Sequence, residues 1–315
     1  HRDLHSFPTR RSSDLQRVKI MTDYIAQVRK VMDDTERNGQ YRWLCVRIPA
    51  DTFYYDELGI DLDKWAAAGI DMFNLSCSYY TVQQTDMAQI RKMVPDNKAV
   101  YLEMTNVTAR SHKPSHLFRF ATDQQLYTTA NLAYARGLDG ISTFNFEYYR
   151  TIYLYGLNRE IKFADTEPPY HIFNHMADPA WLAKQPQNYI LSDARQFTTQ
   201  KHLPRAVTKN SPAVIDLDMA PPAGGFKGTG KLRVQFINSI NGIDFNVKLN
   251  GYNLEKTSDV SEPYPYPYPK DALGTADDTL AWKVPANILI NGTNNIEVSA
   301  KDACSDIVFV DLAIE

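Results

Sequence analysis

Helical and strand-like hydrophobic spacing alternate along residues 17–192. From Arg17 to about Glu36, apolar residues recur every three or four positions, which is typical of an amphipathic helix. The apolar run 43–48 is short and is followed by Pro49, which is typical of a strand. The pattern then predicts helices at 61–68, 85–94, 122–136 and 170–184, and strands at 70–77, 99–104, 140–146 and 188–191. Strands that alternate with helices in this way form parallel sheets.

The pattern changes after about residue 200. Proline and glycine punctuate residues 206–230, which we interpret as a linker. Beyond it, short strand-like segments are separated by Asn-Gly turns at Asn241, Asn250 and Asn291, a pattern typical of β-hairpins. We therefore predict a barrel part at 16–205, a linker at 206–230 and a small β-sandwich at 231–315.

A doubly wound sheet and a (β/α)8 barrel both fit the alternation. The glycine-rich phosphate loop that opens a dinucleotide-binding fold does not occur. Polar residues instead follow the carboxyl ends of the strands, where barrels carry their active sites. We therefore predict an α/β chain that holds the C-terminal part of a (β/α)8 TIM barrel, incomplete, followed by an all-β sandwich.

The first fifteen residues, His1–Leu15, do not fit this organisation. They are basic and non-periodic, and they resemble the in-frame translation of a short-read sequencing adapter. We interpret them as artefactual, with the native gene entered near Gln16. A barrel without its first strands exposes sheet edges, so we expect such a fragment to aggregate and to be inactive.

Composition narrows the function classes. The 315 residues are 43% hydrophobic and 23% charged, with a net charge of −3, so they can bury a core and lack the basic balance of a nucleic-acid binder. No apolar run reaches the ~18 residues that a membrane span needs. The three cysteines form no CxxC pair, and no spacing predicts a metal or cofactor site. The sequence leaves the oligomeric state open.

Two glutamates are the candidate catalytic residues. Glu103 ends the predicted strand 99–104, and Glu147 follows the predicted strand 140–146. Consecutive barrel strands are neighbours, so both carboxylates would project over the same rim. Glycoside hydrolysis needs one carboxyl group to protonate the leaving oxygen and a second as nucleophile or base. A structural role, in which each carboxylate holds an arginine, is the competing interpretation.

Other polar and aromatic residues at strand ends are candidates for substrate binding. Arg47 is a charged residue inside an apolar strand, and we expect it to be buried against a carboxylate, either as a substrate contact or as a structural ion pair. Asp51 follows the same strand. Aromatic rings stack on sugars and amides bind hydroxyl groups. The remaining candidates on this basis are Asn74, Tyr79, Tyr80, Asn106, Asn145 and Tyr148.

This layout resembles the glycoside hydrolase family 10-like barrels of polysaccharide-degrading bacteria, which carry a β-sandwich after a (β/α)8 barrel. The likeness covers most of residues 17–195 and, more loosely, the sandwich. The stretches that carry it are LCVRIPAD (Leu44–Asp51), GIDMFNLSCSYY (Gly69–Tyr80), AVYLEMTN (Ala99–Asn106) and GLDGISTFNFEYY (Gly137–Tyr149).

The resemblance implies a glycosidase that acts on a polysaccharide or oligosaccharide outside the cytoplasm, in the periplasm, at the cell surface or secreted. Glu147 then matches the nucleophile that follows the seventh strand. The stretch LCVRIPAD takes the place of the fourth strand but lacks its Asn-Glu pair, so Glu103, Asp51 or a residue outside this sequence remains open as the acid. A non-catalytic glycan-binding or surface protein on a barrel scaffold is the alternative.

Overall fold

The structure, a computed structural model, is a mixed α/β protein with several sheets. It describes residues 10–77, 81, 83–110, 118–146, 151–154, 159–162, 168–192, 202–209, 211–237, 239–264, 278–301 and 305–314. The helices are α1 (Arg10–Asp34), α2 (Tyr55–Leu58), α3 (Leu62–Ala67), α4 (Met87–Met93), α5 (Asp123–Ala135) and α6 (Pro179–Leu182). Two short 3-10 helices span Tyr170–Asn174 and Ala286–Ile288.

The strands before residue 200 are β1 (Cys45–Pro49), β2 (Met72–Ser76), β3 (Ala99–Thr105), β4 (Val107–Arg110), β5 (Phe118–Phe120), β6 (Gly140–Phe144), β7 (Thr151–Leu154), β8 (Arg159–Lys162) and β9 (Gln187–Ser192). Those after it are β10 (Arg205–Val207), β11 (Ala213–Met219), β12 (Thr229–Phe236), β13 (Phe245–Leu249), β14 (Tyr252–Asn253), β15 (Glu255–Thr257), β16 (Thr279–Pro285), β17 (Gly292–Ala300) and β18 (Ser305–Ile314).

The chain divides into two compact units. The described residues of 1–76, 86–102 and 136–140 form the first unit, and those of 77–85, 103–135 and 141–315 form the second. The boundary passes through β3 after Leu102 and through β6 after Gly140, so each of these strands begins in one unit and ends in the other.

The predicted parallel pairing is present in a four-stranded sheet of order β1-β2-β3-β6. The β1–β2 and β2–β3 pairs are parallel. At the start of β6, the Asp139 backbone N–H donates to Val100 O at 2.9 Å, and Val100 N–H donates to Asp139 Oδ2 at 2.8 Å. Both strands begin at the same end of the sheet, so β6 also runs parallel to β3. The carboxyl ends of the two strands therefore lie side by side.

Two glycines in the first unit are required by close packing. An ideal Cβ on Gly59, which has φ +72°, would lie 2.7 Å from the backbone carbon of Arg17 in α1. One on Gly140 would lie 2.1 Å from Cε1 of Tyr101. Any side chain at these positions would therefore displace α1 or the Tyr101 ring.

A buried ionic cluster lies at the amino-terminal ends of the strands of this sheet. The Asp71 carboxylate accepts hydrogen bonds from the Leu44 backbone N–H at 2.9 Å, from the Tyr41 hydroxyl at 2.8 Å and from Lys98 Nζ at 3.4 Å. Arg29 of α1 lies 3.6 Å away. Burial would raise the pKa of Asp71, but the hydrogen bonds from Leu44 and Tyr41 and the charge of Lys98 together lower it.

In the second unit, α5 anchors an apolar cluster. Its first turn is a reciprocal cap, in which Thr122 N–H donates to Gln125 Oε1 at 2.9 Å and Gln125 N–H donates to Thr122 Oγ1 at 3.2 Å. Leu126 and Ala130 of α5 are fully buried. The cluster around them is Met104, Val107, Phe120, Ala121, Tyr127, Phe146, Ile172, Met176 and Leu182.

Antiparallel strands of the second unit build the β-sandwich core. One sheet has the order β10-β18-β12-β16-β15, with β9 paired to β18, and the other has the order β11-β17-β13-β14. Inward residues alternate with outward ones, as in β17, where Ile296 and Val298 are fully buried between half-buried neighbours. Trp282 and Tyr189 are among the largest fully buried side chains.

One buried ion pair lies on the opposite face of the first of these sheets, because Arg233 and Asp311 alternate with the core residues of their strands. Arg233 of β12 is the register partner of Asp311 of β18, and the two are 3% and 0% exposed. Arg233 Nε donates to Asp311 Oδ1 at 2.9 Å, and Nη2 donates to both Asp311 and Glu262. These two carboxylates raise the pKa of Arg233 despite its burial.

Three elements differ from the sequence-based expectation. β9 was expected as a fifth parallel strand, but it pairs antiparallel with β18 of the sandwich. Residues 206–230 were expected as a linker, yet they contain β11, which pairs with β17 over seven positions, and the first residues of β12. The helix expected at 170–184 is divided into a 3-10 turn and α6, because Asp178 caps a new start at Pro179.

The incomplete barrel remains a prediction. The described part of the chain contains one parallel sheet of four strands, with β1 and β6 at its edges. Helix α1 also begins at Arg10, inside the segment 1–15 that we had set apart, and runs without a break through Gln16.

Candidate functional site

The carboxyl end of β3 carries the first candidate acid. Glu103 is 4% exposed, and Asn106, just after the strand, is also 4% exposed. Thr81 fastens the preceding loop here, because its hydroxyl donates to Thr105 O at 2.7 Å and accepts from Thr105 N–H at 2.8 Å. Buried carboxylates are rare in proteins, so Glu103 is conspicuous at this position.

The carboxyl end of β6 has an unusual backbone. Asn145, directly after the strand, has φ 54°. The other non-glycine residues with positive φ, Asn38 and Asn250, each precede a glycine in a turn, whereas Asn145 precedes Phe146. Asparagine tolerates this left-handed conformation better than most residues, and strained backbone is concentrated at functional sites. Asn145 stands two residues before Glu147 in the sequence.

Four of the candidates lie outside the described residues. They are Glu147, Tyr148, Tyr79 and Tyr80. Their positions and roles stay predictions, as does the Glu103–Glu147 carboxyl distance that would separate retention from inversion.

An aromatic platform, which sequence analysis missed, lies beside the end of β6. It consists of Phe146, Tyr170 and Phe173. The Phe146 ring centroid is 5.0 Å from that of Phe173 and 6.1 Å from that of Tyr170. Phe146 is 5% exposed, whereas Tyr170 and Phe173 are 52% and 44% exposed. Sequence analysis predicted only a helix over 170–184 and singled out neither exposed ring, so the platform emerges from the structure.

A histidine–carboxylate pair adjoins this platform. His171 Nε2 lies 2.6 Å from Asp123 Oδ2 at the start of α5. The pair holds the His171 ring against the first turn of α5. Two residues before Asp123, Ala121 N–H donates to Asn106 O at 3.0 Å. The start of α5, the end of β3 and the platform are therefore parts of one region of the second unit.

In the first unit, three polar or aromatic residues form a row across the sheet. Arg47 of β1 is paired in register with Asn74 of β2, which is paired with Tyr101 of β3. Registered residues of parallel strands share a face. We expected Arg47 to be buried, and this is wrong: its side chain is exposed. Asn74 and Tyr101 are half-buried, and Tyr101 was not a candidate.

Asp51 follows β1 and is only 7% exposed. Its Oδ1 has no hydrogen-bond partner among the described residues. Burial, followed by the nearby charges of Asp51 and Asp86, raises the pKa of Tyr55, whose hydroxyl donates to Pro49 O at 2.7 Å. Asp86 accepts from the Thr52 backbone N–H and hydroxyl, both at 2.8 Å. This part of the first unit is therefore acidic and largely buried.

Two searches of the described residues gave negative results. They contain no group of three or more His, Cys, Asp or Glu side chains arranged to hold a metal ion. Within the same ranges, no helix is both long and apolar enough to cross a lipid bilayer.

A scan against protein-family models finds no match for the chain, and a search of curated proteins finds none either. Among solved structures, the chain is similar to BpGH86A, a β-porphyranase of glycoside hydrolase family 86 from the human gut bacterium Bacteroides plebeius. The identity is 10%, the match covers 95% of this chain and 74% of that one, and the TM-score is 0.28.

It is also similar to BuGH86wt in complex with neoagarooctaose. The identity is 11%, with 99% of this chain and 68% of that one covered, and the TM-score is 0.27. TM-scores this low do not establish a shared fold. The neighbours are glycoside hydrolases in general, and they give no support to family 10 or to an adapter origin of residues 1–15.

Proposed function

We propose that this protein is a glycoside hydrolase that cleaves a polysaccharide or oligosaccharide with two carboxylates. The observation that carries the proposal is the buried Glu103 at the carboxyl end of β3, beside the parallel strand β6 that leads into Glu147. Because parallel neighbours end at the same end of a sheet, we expect Glu147 to lie near Glu103.

In this proposal Glu103 protonates the oxygen of the leaving sugar. Glu147 attacks the anomeric carbon or activates a water molecule. Asn145 redirects the chain between β6 and Glu147, and Asn106 supplies an amide at the end of β3. A family 10 affiliation, a closed barrel and roles for Arg47, Asp51, Asn74, Tyr79, Tyr80 and Tyr148 in substrate binding remain parts of the proposal.

The first test is whether the full chain hydrolyses soluble xylan, β-glucan, galactan or neoagarooctaose, the last being the ligand in the BuGH86wt complex. Hydrolysis would also overturn the expectation that this chain is an inactive, aggregating fragment. Glu103→Gln and Glu147→Gln should each lower kcat by about 10²–10⁴ if each carboxyl group transfers a proton or forms the covalent bond. Glu255→Gln, on an exposed strand of the sandwich, is the matched control and should retain full activity.

A further variant separates backbone from side chain at Asn145. Asn145→Gly preserves the left-handed conformation but removes the amide. A loss of activity with unchanged stability would assign a substrate contact to the amide. Retained binding of a polysaccharide with no hydrolysis by the wild type would contradict the proposal and favour the non-catalytic glycan-binding alternative.

A further inference from the structure

The aromatic platform exposes two rings that a folded protein would ordinarily cover. Tyr170 and Phe173 lie on the same 3-10 turn, with ring centroids 6.4 Å apart and planes inclined by 33°. Single exposed apolar residues are common, but adjacent exposed aromatic rings mark a binding surface more often. Together the two rings form a broad apolar surface.

The turn that carries these rings is held in place from both sides. Ile172, between them, is fully buried in the cluster around α5. His171 is fixed by Asp123, and the Tyr170 backbone N–H donates to Pro168 O at 2.6 Å. The rings therefore lose little conformational freedom when a ligand binds, which favours affinity.

Polar groups neighbour the rings along the chain. The Tyr170 hydroxyl, the His171 imidazole and the Asn145 amide lie within this short stretch or directly before Phe146. A flat apolar surface next to hydrogen-bonding groups matches a sugar ring, which offers C–H groups on its faces and hydroxyl groups at its edge. A partner with only apolar side chains would leave those polar groups desolvated without partners.

We propose that Tyr170 and Phe173 form a sugar-stacking subsite that binds the polysaccharide beyond the bond to be cleaved. The proposal rests on the proposed function, since the platform adjoins the ends of β3 and β6. It adds a substrate-binding surface to the candidate acids, and it predicts that binding depends on aromatic rings more than on apolar area.

The experiment measures the retardation of the full chain in native gels that contain xylan, β-glucan or galactan, and neoagarooctaose binding by calorimetry. We expect the double variant Tyr170→Ala/Phe173→Ala to bind about tenfold or more weakly, as the loss of two stacked rings would give. Tyr170→Phe retains the ring and should bind within about twofold of the wild type on the same grounds. Phe173→Leu retains apolar area without a ring and should weaken binding.

Tyr252→Ala is the matched control, because Tyr252 is 61% exposed on β14 in the sandwich. It should bind like the wild type. Wild-type affinity in the double variant, or in Phe173→Leu, would overturn the stacking subsite, and so would a wild type that binds none of the four probes.

Binding and cleavage separate the two proposals. A chain that binds through Tyr170 and Phe173 but does not cleave retains the subsite and refutes the hydrolase. A chain that cleaves, with KM and binding unchanged in the double variant, retains the hydrolase and refutes the subsite.

Discussion

Asp71 shows at the scale of one residue how a buried charge is tolerated. Three hydrogen bonds, from Leu44, Tyr41 and Lys98, replace the water that its carboxylate has lost. We predict that Asp71→Asn lowers the free energy of unfolding at neutral pH by about 1–3 kcal/mol, because the donors remain but the charge they serve is gone. Urea denaturation gives this value.

The same residue predicts a pH dependence. Its folded pKa lies below the usual ~3.9 of an aspartate in an unfolded chain, so its contribution is complete above that value and is lost as pH falls through the lower, folded pKa. Asp71→Asn should therefore flatten the loss of stability below about pH 4. Asp244→Asn, at an exposed position, is the control. If the stability of Asp71→Asn fell with pH as steeply as that of the wild type, the role assigned to the Asp71 cluster would be wrong.

Single residues also show which features of the candidate site the sequence predicts and which it does not. Glu103 and Asn145 were found because acidic and amide residues at strand ends are conspicuous in any alternating pattern. Arg47 was misjudged, because a strand's residues do not show whether its edge is covered. Tyr170 and Phe173 lie in a stretch that was predicted as a helix, and the sequence did not show that both rings are exposed.

At the scale of elements, the register of β12 and β18 brings Arg233 opposite Asp311 in a buried pair. We predict that Asp311→Leu alone costs about 3–5 kcal/mol of unfolding free energy, since it leaves a buried guanidinium with less compensation. Arg233→Met combined with Asp311→Leu should recover most of this loss, because apolar pairs replace buried ion pairs at little cost.

The measurement is a double-mutant cycle by chemical denaturation. Lys248→Met and Glu297→Leu, singly and together, provide a comparison on the half-exposed pair of β13 and β17. That exposed pair should contribute no more than about 1 kcal/mol. Equal coupling energies in the two cycles would show that burial does not set the strength of the Arg233–Asp311 pair.

Element types were more predictable than element partners. The alternation in β12, β13, β16, β17 and β18 led to the sandwich strands. β11 carries an equally clear alternation, with Ala213, Ile215, Leu217 and Met219 facing inward, but the prolines around it favoured a linker. β9 was found as a strand, yet its antiparallel partner lies more than a hundred residues away. Such long-range pairing leaves no local signal.

At the scale of the whole molecule, the sequence predicted the fold class but not its closure. Strand–helix alternation indicated parallel strands, and four of them pair as expected. Closure into a barrel is a property of the first and last strands together, so no single stretch of sequence encodes it. The same limit applies to function. Residue types in the sequence suggest two catalytic carboxylates, but whether the two lie close together depends on which strands become neighbours.

Long-range order in the second unit depends on one buried amide. Gln83 is fully buried. Its Nε2 donates to Gln125 O at 3.3 Å, to Thr129 Oγ1 at 3.2 Å and to Asn188 O at 3.1 Å, and its Oε1 accepts from Ile190 N–H at 2.6 Å. The loop before α4 is thereby joined to α5 and to β9, which in turn pairs with the sandwich.

We predict that Gln83→Leu destabilises the protein by about 3 kcal/mol, because the buried Ile190 N–H and Asn188 carbonyl lose their bonds to Gln83. Gln125 O, in contrast, keeps the Thr129 hydroxyl as donor. Amide exchange at Ile190 should accelerate more than at Val310, which pairs with the next residue of β9, Leu191. Gln89→Leu, at an exposed position on α4, should change neither quantity. Uniform acceleration at both amides would instead mean that Gln83 contributes only to global stability and not to the attachment of β9.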